Sequence, residues 1–120
     1  MPDKILIVED NPLIAEAIEQ AGQRFRMTAD RASDGWDAIE MLETEEYAAI
    51  VIDTDLPRHS GFGVLAYLRE EIGDDLENVI VMTSADCGEV ERSLCQHGVT
   101  VVAKDDVAAE VERSLEARRS

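Results

Sequence analysis

Short apolar runs alternate with stretches whose apolar residues recur every three or four positions, and the alternation repeats five times along the chain. Residues 5–8 (ILIV) are unbroken in their apolarity, the pattern of a strand covered on both faces. Asn11 then offers a helix N-cap, and Pro12 takes a first helical position where its missing N–H is harmless. Ile14, Ala17, Ile18, Ala21 and Phe25 follow at helical spacing. Residues 27–31 alternate apolar and polar, which predicts a strand at or near a sheet edge.

The same rhythm continues. Asp34 and Gly35 punctuate, and Ala38, Ile39 and Leu42 mark a second helix, with Trp36 in its first turn and expected to pack against a neighbouring helix. Residues 48–52 form a third strand. Gly61 opens a third helix carrying Val64, Leu65, Leu68 and Ile72, ended by Gly73. Residues 79–82 (VIVM) form a fourth strand. Cys87, Val90 and Leu94 stripe a fourth helix, with Gly98 placed to terminate it. Residues 99–103 form a fifth strand, and Val107, Val111 and Leu115 stripe a fifth helix. No linker, repeat or low-complexity segment interrupts the series, so residues 1–120 are expected to form a single domain.

Such alternation implies an α/β fold: a five-stranded parallel sheet, doubly wound, with five helices covering both faces through right-handed crossovers. In these sheets ligands bind beyond the carboxyl ends of the strands. Four chemically notable spots fall at that end. Glu9 and Asp10 follow strand one, Asp53 follows strand three, Thr83 follows strand four, and Lys104 follows strand five.

Charge narrows the function. The chain carries a formal net charge of −16, with 27 acidic against 11 basic residues. An anionic surface of this kind repels DNA, RNA and anionic lipid, so no direct nucleic-acid or membrane partner is expected. Residues 1–4 lead straight into a short apolar run with no resemblance to a signal peptide, and a cytoplasmic location is expected. Cys87 and Cys95 lack a CxxC spacing or clustered His partners and read as two reduced thiols. His59, His97 and the basic residues Arg113, Arg118 and Arg119 read as loop and helix-end features.

The acidic spots carry chemistry. Carboxylates converging from adjacent strands repel one another, and a divalent cation relieves that repulsion. Magnesium suits an open, all-oxygen site because it keeps several waters and accepts phosphate oxygens. Asp53 is the candidate nucleophile, able to form an acyl phosphate. Phosphoryl transfer needs positioning and neutralised charge, to which Lys104 and the Thr83 hydroxyl can contribute. Of the eleven basic residues only Lys4 and Lys104 are lysine, and a compact point charge suits a phosphate.

These residues, with residues 5–11 (ILIVEDN) and 53–61 (DTDLPRHSG), resemble the receiver domain of two-component response regulators over essentially the whole chain. The resemblance implies the flavodoxin-like strand order 2-1-3-4-5. It implies that Asp53 accepts the phosphoryl group, and that Glu9, Asp10, Asp53 and the backbone carbonyl of Asp55 hold Mg2+. It further implies that Thr83 and Lys104 contact the phosphoryl group. The donor would be a sensor histidine kinase or a histidine phosphotransfer protein, docking over the first helix and residues 57–61. A downstream protein target would read the switch. Such a domain catalyses only its own phosphorylation and dephosphorylation.

This chain departs from the pattern in three places. Asp105 follows Lys104 where receivers usually carry a cis proline, and a trans bond is expected because cis costs roughly 2.5–4 kcal/mol for other residues. Residues 98–104 are one position shorter than the pattern, so Lys104 is expected to enter from a different angle. Val101 replaces the aromatic residue whose ring swings inward in the family. These departures leave open a phosphate-independent pseudo-receiver, a protein-interaction module on the same fold. Asp55 also leaves open a magnesium-dependent phosphatase with an aspartyl intermediate.

Overall fold

The computed structural model describes residues 4–53, 61–68, 70, 78–83 and 100–119. Five parallel strands lie in the order β2-β1-β3-β4-β5: β1 (Lys4–Val8), β2 (Thr28–Ala32), β3 (Ala49–Asp53), β4 (Val79–Thr83) and β5 (Thr100–Ala103). The helices are α1 (Pro12–Gln23), α2 (Gly35–Thr44), α3 (Gly61–Tyr67) and α4 (Val107–Arg119), the last preceded by a 3-10 turn at Lys104–Asp106. This is the flavodoxin-like strand order. The helix expected over residues 87–98 lies outside the described residues, as do Ile72 and Gly73.

The central strands are apolar on both faces because both faces are covered. Leu6, Val8, Ile50, Ile52, Val79 and Val81 point to one side, where they meet Ala38 of α2, Val64 of α3 and Leu68 just after α3. Ile5, Ile7, Ala49, Val51, Ile80 and Met82 point to the other and meet Ala15, Ile18, Val107, Val111 and Leu115 of α1 and α4. The period-two split of each strand between two cores is what an alternating pleat dictates. Burial of a Val, Leu or Ile side chain contributes about 1.5–3 kcal/mol, so these two layers hold the sheet between its helices. β2 lies at one edge and is correspondingly less buried, as its alternation predicts.

Two side chains depart from the sequence reading. Ala17 is exposed and Ala15 is buried instead, because the inward face of α1 is centred on Ala15, Ile18 and Gly22. Trp36 does not bury against a neighbouring helix: it is 60% exposed, since Gly35 and Ala38 form the inward face of that first turn.

The end of α1 fixes how the chain enters β2. The Met27 N–H returns to Gly22 O at 3.1 Å and the Arg26 N–H to Gln23 O at 3.0 Å, with Arg26 at φ 61. This is the paired-bond closure that usually places glycine in the left-handed position. A Cβ at Gly22 would stand 2.7 Å from Cδ1 of buried Ile5, so the tip of that side chain would have to shift to admit one.

Candidate functional site

The site is built at the carboxyl end of β1, β3 and β5. β1 stops at Val8 because the next two residues are acidic, yet Glu9 turns inward and is 4% exposed. Its backbone N–H donates to Ala32 O at 3.1 Å, tying it to the end of β2. Its Oε1 accepts the Asn11 N–H at 3.0 Å. The Asn11 side chain in turn caps α1, accepting the Leu13 N–H at 3.0 Å. Asp10 faces solvent. Asp53 is the last residue of β3, beside Met82 of β4, and is 1% exposed.

Lys104 crosses from the end of β5 to close the group. Its Nζ donates to Asp53 Oδ2 at 2.9 Å and stands 3.2 Å from Glu9 Oε2. The second contact is an ion pair without the alignment of a hydrogen bond, so the buried Oε2 of Glu9 has no hydrogen-bond partner. The shortened segment before Lys104 therefore still delivers its amine to Asp53. No cis peptide bond occurs among the described residues, in keeping with the trans bond expected before Asp105.

Burial sets the protonation balance. It pushes the Glu9 carboxyl above the usual carboxylate range, opposed by the Asn11 N–H and reinforced by the charge of Asp53. For Lys104 burial acts downward, but the hydrogen bond and charge of Asp53, followed by those of Glu9, outweigh it and raise the ammonium. Both carboxylates thus favour a charged Lys104.

The acidic group fits a divalent cation. One carboxylate oxygen from each of Glu9, Asp10 and Asp53 lies within 4.8 Å of the others. Oxygens sharing one magnesium at 2.0–2.1 Å stand about 2.9 to 4.2 Å apart, so modest side-chain rotation closes the difference. The orphaned Glu9 Oε2 is a second sign that the donors are under-satisfied without a cation.

Of the other expected participants, Thr83 ends β4 opposite Ala103, which places its backbone at the same end of the sheet. Asp55 and the rest of 54–60 lie outside the described residues. Two contributors had no sequence signal for their role. The Asn11 N–H orients Glu9, although Asn11 reads only as a helix cap. Asp34 is buried and its Oδ1 accepts the Asp37 N–H at 2.9 Å, fixing the start of α2 beside the loop that carries Glu9. A cavity of about 710 Å³, lined in part by Tyr47, Ile50 and Asn78, touches none of the acidic group.

The chain matches the response regulator receiver domain family over residues 5–115. It is 31% identical over 86 residues to response regulator MprA of Mycolicibacterium vanbaalenii, covering 72% of this chain and 36% of that protein. It is 37% identical over 82 residues to transcriptional regulatory protein DltR of Streptococcus agalactiae, covering 68% and 35%. The chain therefore matches about a third of the length of these relatives. In three dimensions it resembles the receiver domain of the Francisella response regulator 1452, with a TM-score of 0.75 at 23% identity, covering 97% of this chain and 98% of that one.

Proposed function

The chain belongs to the response regulator receiver domain family, and from that premise we propose that it is the phosphoacceptor of a two-component signalling pathway, with Asp53 as the residue modified. The observation that carries this reading is the buried Asp53 carboxylate, joined to Lys104 at 2.9 Å and flanked by Glu9 and Asp10.

The reaction is a simple displacement. A carboxylate oxygen of Asp53 attacks the phosphorus of a phosphohistidine on a sensor kinase or phosphotransfer protein. The new P–O bond forms as the P–N bond breaks, and the bonding pair stays on the imidazole nitrogen, which takes up a proton. Lys104 follows the charge from the carboxylate onto the transferred oxygens. Thr83 is assigned the remaining phosphoryl contact, and Asp55 a backbone carbonyl ligand. Glu9, Asp10 and Asp53 would hold Mg2+, which neutralises charge on the phosphoryl oxygens when bound. The product is an acyl phosphate, and the domain acts as a switch for a downstream protein rather than as a turnover enzyme. Leu13, 75% exposed in the first turn of α1, gives a docking donor an apolar foothold beside the site. No described helix is long and apolar enough to cross a membrane.

A second reading keeps the fold but not the chemistry. Asp105 and Val101 stand where receivers carry proline and an aromatic ring, which favours a phosphate-independent interaction module. One experiment separates the two. The protein is incubated with magnesium and a small-molecule phosphodonor and its intact mass is read. A gain of one phosphoryl group, absent in Asp53→Asn, supports the switch; no gain at any donor concentration supports the interaction module.

A further inference from the structure

A cavity of about 710 Å³ opens at the amino end of β3 and β4, between the close of α2 and the close of α3. Asp53 stands three residues beyond Ile50 on β3, about 10 Å along the strand, so the opening is separate from the acidic group. We propose that this cavity binds a small organic cation, one with an aromatic or branched apolar body carrying an ammonium. The site does not depend on modification of Asp53.

Size argues for a whole small molecule. Ligand sites run from about 300 to 1,000 Å³, and a single inserted side chain would leave most of this one empty. The floor is apolar and packed: Tyr47, Ile50 and Leu68 are 7%, 2% and 1% exposed. Leu42 and Tyr67 form half-buried walls beside it. Such a floor accommodates the body of a ligand, and the rim decides its charge.

The polar lining is rich in acceptors and poor in free donors. The Thr44 hydroxyl donates to Met41 O at 3.2 Å, the Tyr47 hydroxyl to Asp30 Oδ2 at 2.8 Å, and Asn78 Nδ2 to Tyr47 O at 3.4 Å. Those donors are therefore engaged within the protein. Glu43, Glu45 and Glu46 are exposed at the rim. Lys4 approaches Glu45 at 3.5 Å and shares itself with Asp30 at 3.8 Å. Glu43 and Glu46 pair with no cation among the described residues. No basic side chain stands among the described residues of the lining. This arrangement repels carboxylates and phosphates and suits a charged N–H donor. Tyr67 adds an aromatic wall of the kind that attracts ammonium groups.

The test titrates three probes of one shape into the whole chain at saturating magnesium, which keeps the acidic group near Asp53 occupied. They are phenethylammonium, neutral phenethyl alcohol and anionic hydrocinnamate. Amide shifts in nitrogen-15 NMR locate each probe. The ammonium is expected to saturate, to shift Tyr47, Ile50, Leu68 and Asn78 together, and to bind at least about tenfold tighter than the carboxylate. Glu43→Gln combined with Glu46→Gln, both on the exposed rim, should leave the fold intact and weaken the ammonium about fivefold. Ethylammonium at equal concentration, which has the charge without the body, should not displace it. Equal affinity for all three probes overturns the proposal, as do absence of saturation or shifts spread over the acidic surface. So do displacement by ethylammonium and unchanged binding to the paired Gln variant. Modification of Asp53 is read separately by intact mass, so failure there leaves this site standing.

Discussion

The ammonium of Lys104 donates a 2.9 Å hydrogen bond to Asp53 Oδ2, with the lysine side chain 19% exposed and the aspartate 1%. With so little of either side chain exposed, this pair sets the charge balance of the acidic group.

Replacing Lys104 by Met should therefore have two effects of different kind. Phosphorylation by a small-molecule donor is expected to fall about a hundredfold or more, the usual loss when one charge-stabilising donor is removed. In metal-free buffer the protein should also lose about 3 kcal/mol of stability, because Glu9 and Asp53 are left facing each other without a counter-charge. Excess magnesium should return most of that stability but not the rate. Urea unfolding with and without metal, beside an intact-mass time course, checks both.

The raised carboxyl of Glu9 gives a pH signature with a definite sign. Its native form holds a proton in a range where the unfolded chain has released it, so stability falls as pH rises from about 4.3 through the native value. Glu9→Gln, a neutral isostere, is expected to match the parent in acid and to become the more stable of the two toward neutrality. Adding magnesium at neutral pH should reverse that order. A parent protein that gains on the variant as pH rises without metal would show the burial argument to be wrong.

Tyr47 offers a control far from the site. Its hydroxyl donates to Asp30 Oδ2 at 2.8 Å, joining the entry of β3 to edge strand β2 across β1, beside Lys4, which is 3.8 Å from the same oxygen. Burial first, followed by Asp30, raises this phenol well above its ordinary value. The native state thus keeps the proton above pH about 10, and stability should fall from there upward. Tyr47→Phe is expected to cost about 1 kcal/mol at neutral pH and to flatten the alkaline decline. Chemical melts at several alkaline pH values decide the matter.

Arg26 invites a stabilising change. An L-residue in the left-handed region costs about 1–2 kcal/mol, while glycine there gives back part of that in chain entropy. Arg26→Gly should raise stability by about 0.5–1 kcal/mol with phosphorylation unchanged. A loss of stability would mean that the arginine side chain contributes more than its backbone costs.

Much of this was legible before any coordinates. The inner strands are read correctly because two-sided burial demands unbroken Val, Ile and Leu, and the candidate site residues Glu9, Asp10, Asp53 and Lys104 stand at the ends of those runs. The order of the strands came from the family resemblance and agrees with the structure. What sequence could not give is pairing between distant elements. The approach of Glu9 to Lys104 joins the beginning of the chain to its last quarter, and no local pattern encodes a 3.2 Å contact. Ala15 displaced Ala17 because the two alanines flank Ile14 and Ile18 on opposite edges of the apolar stripe, and neither carries enough apolar weight to mark which edge turns inward. Trp36 misled because a large aromatic residue suggests burial, whereas its place in the first turn of α2 points it outward. Arg26 carried no signal because glycine is the usual marker of a left-handed close.

Val101 is half-buried on β5 and packs on the core layer beneath α2 and α3. A valine has one stiff side-chain torsion and no ring to swing between two packings. Under the phosphoacceptor reading proposed above, modification would then have to reach the outer strand as displacement of the main chain itself. A partner docking there would sense altered strand position, not a rotated ring.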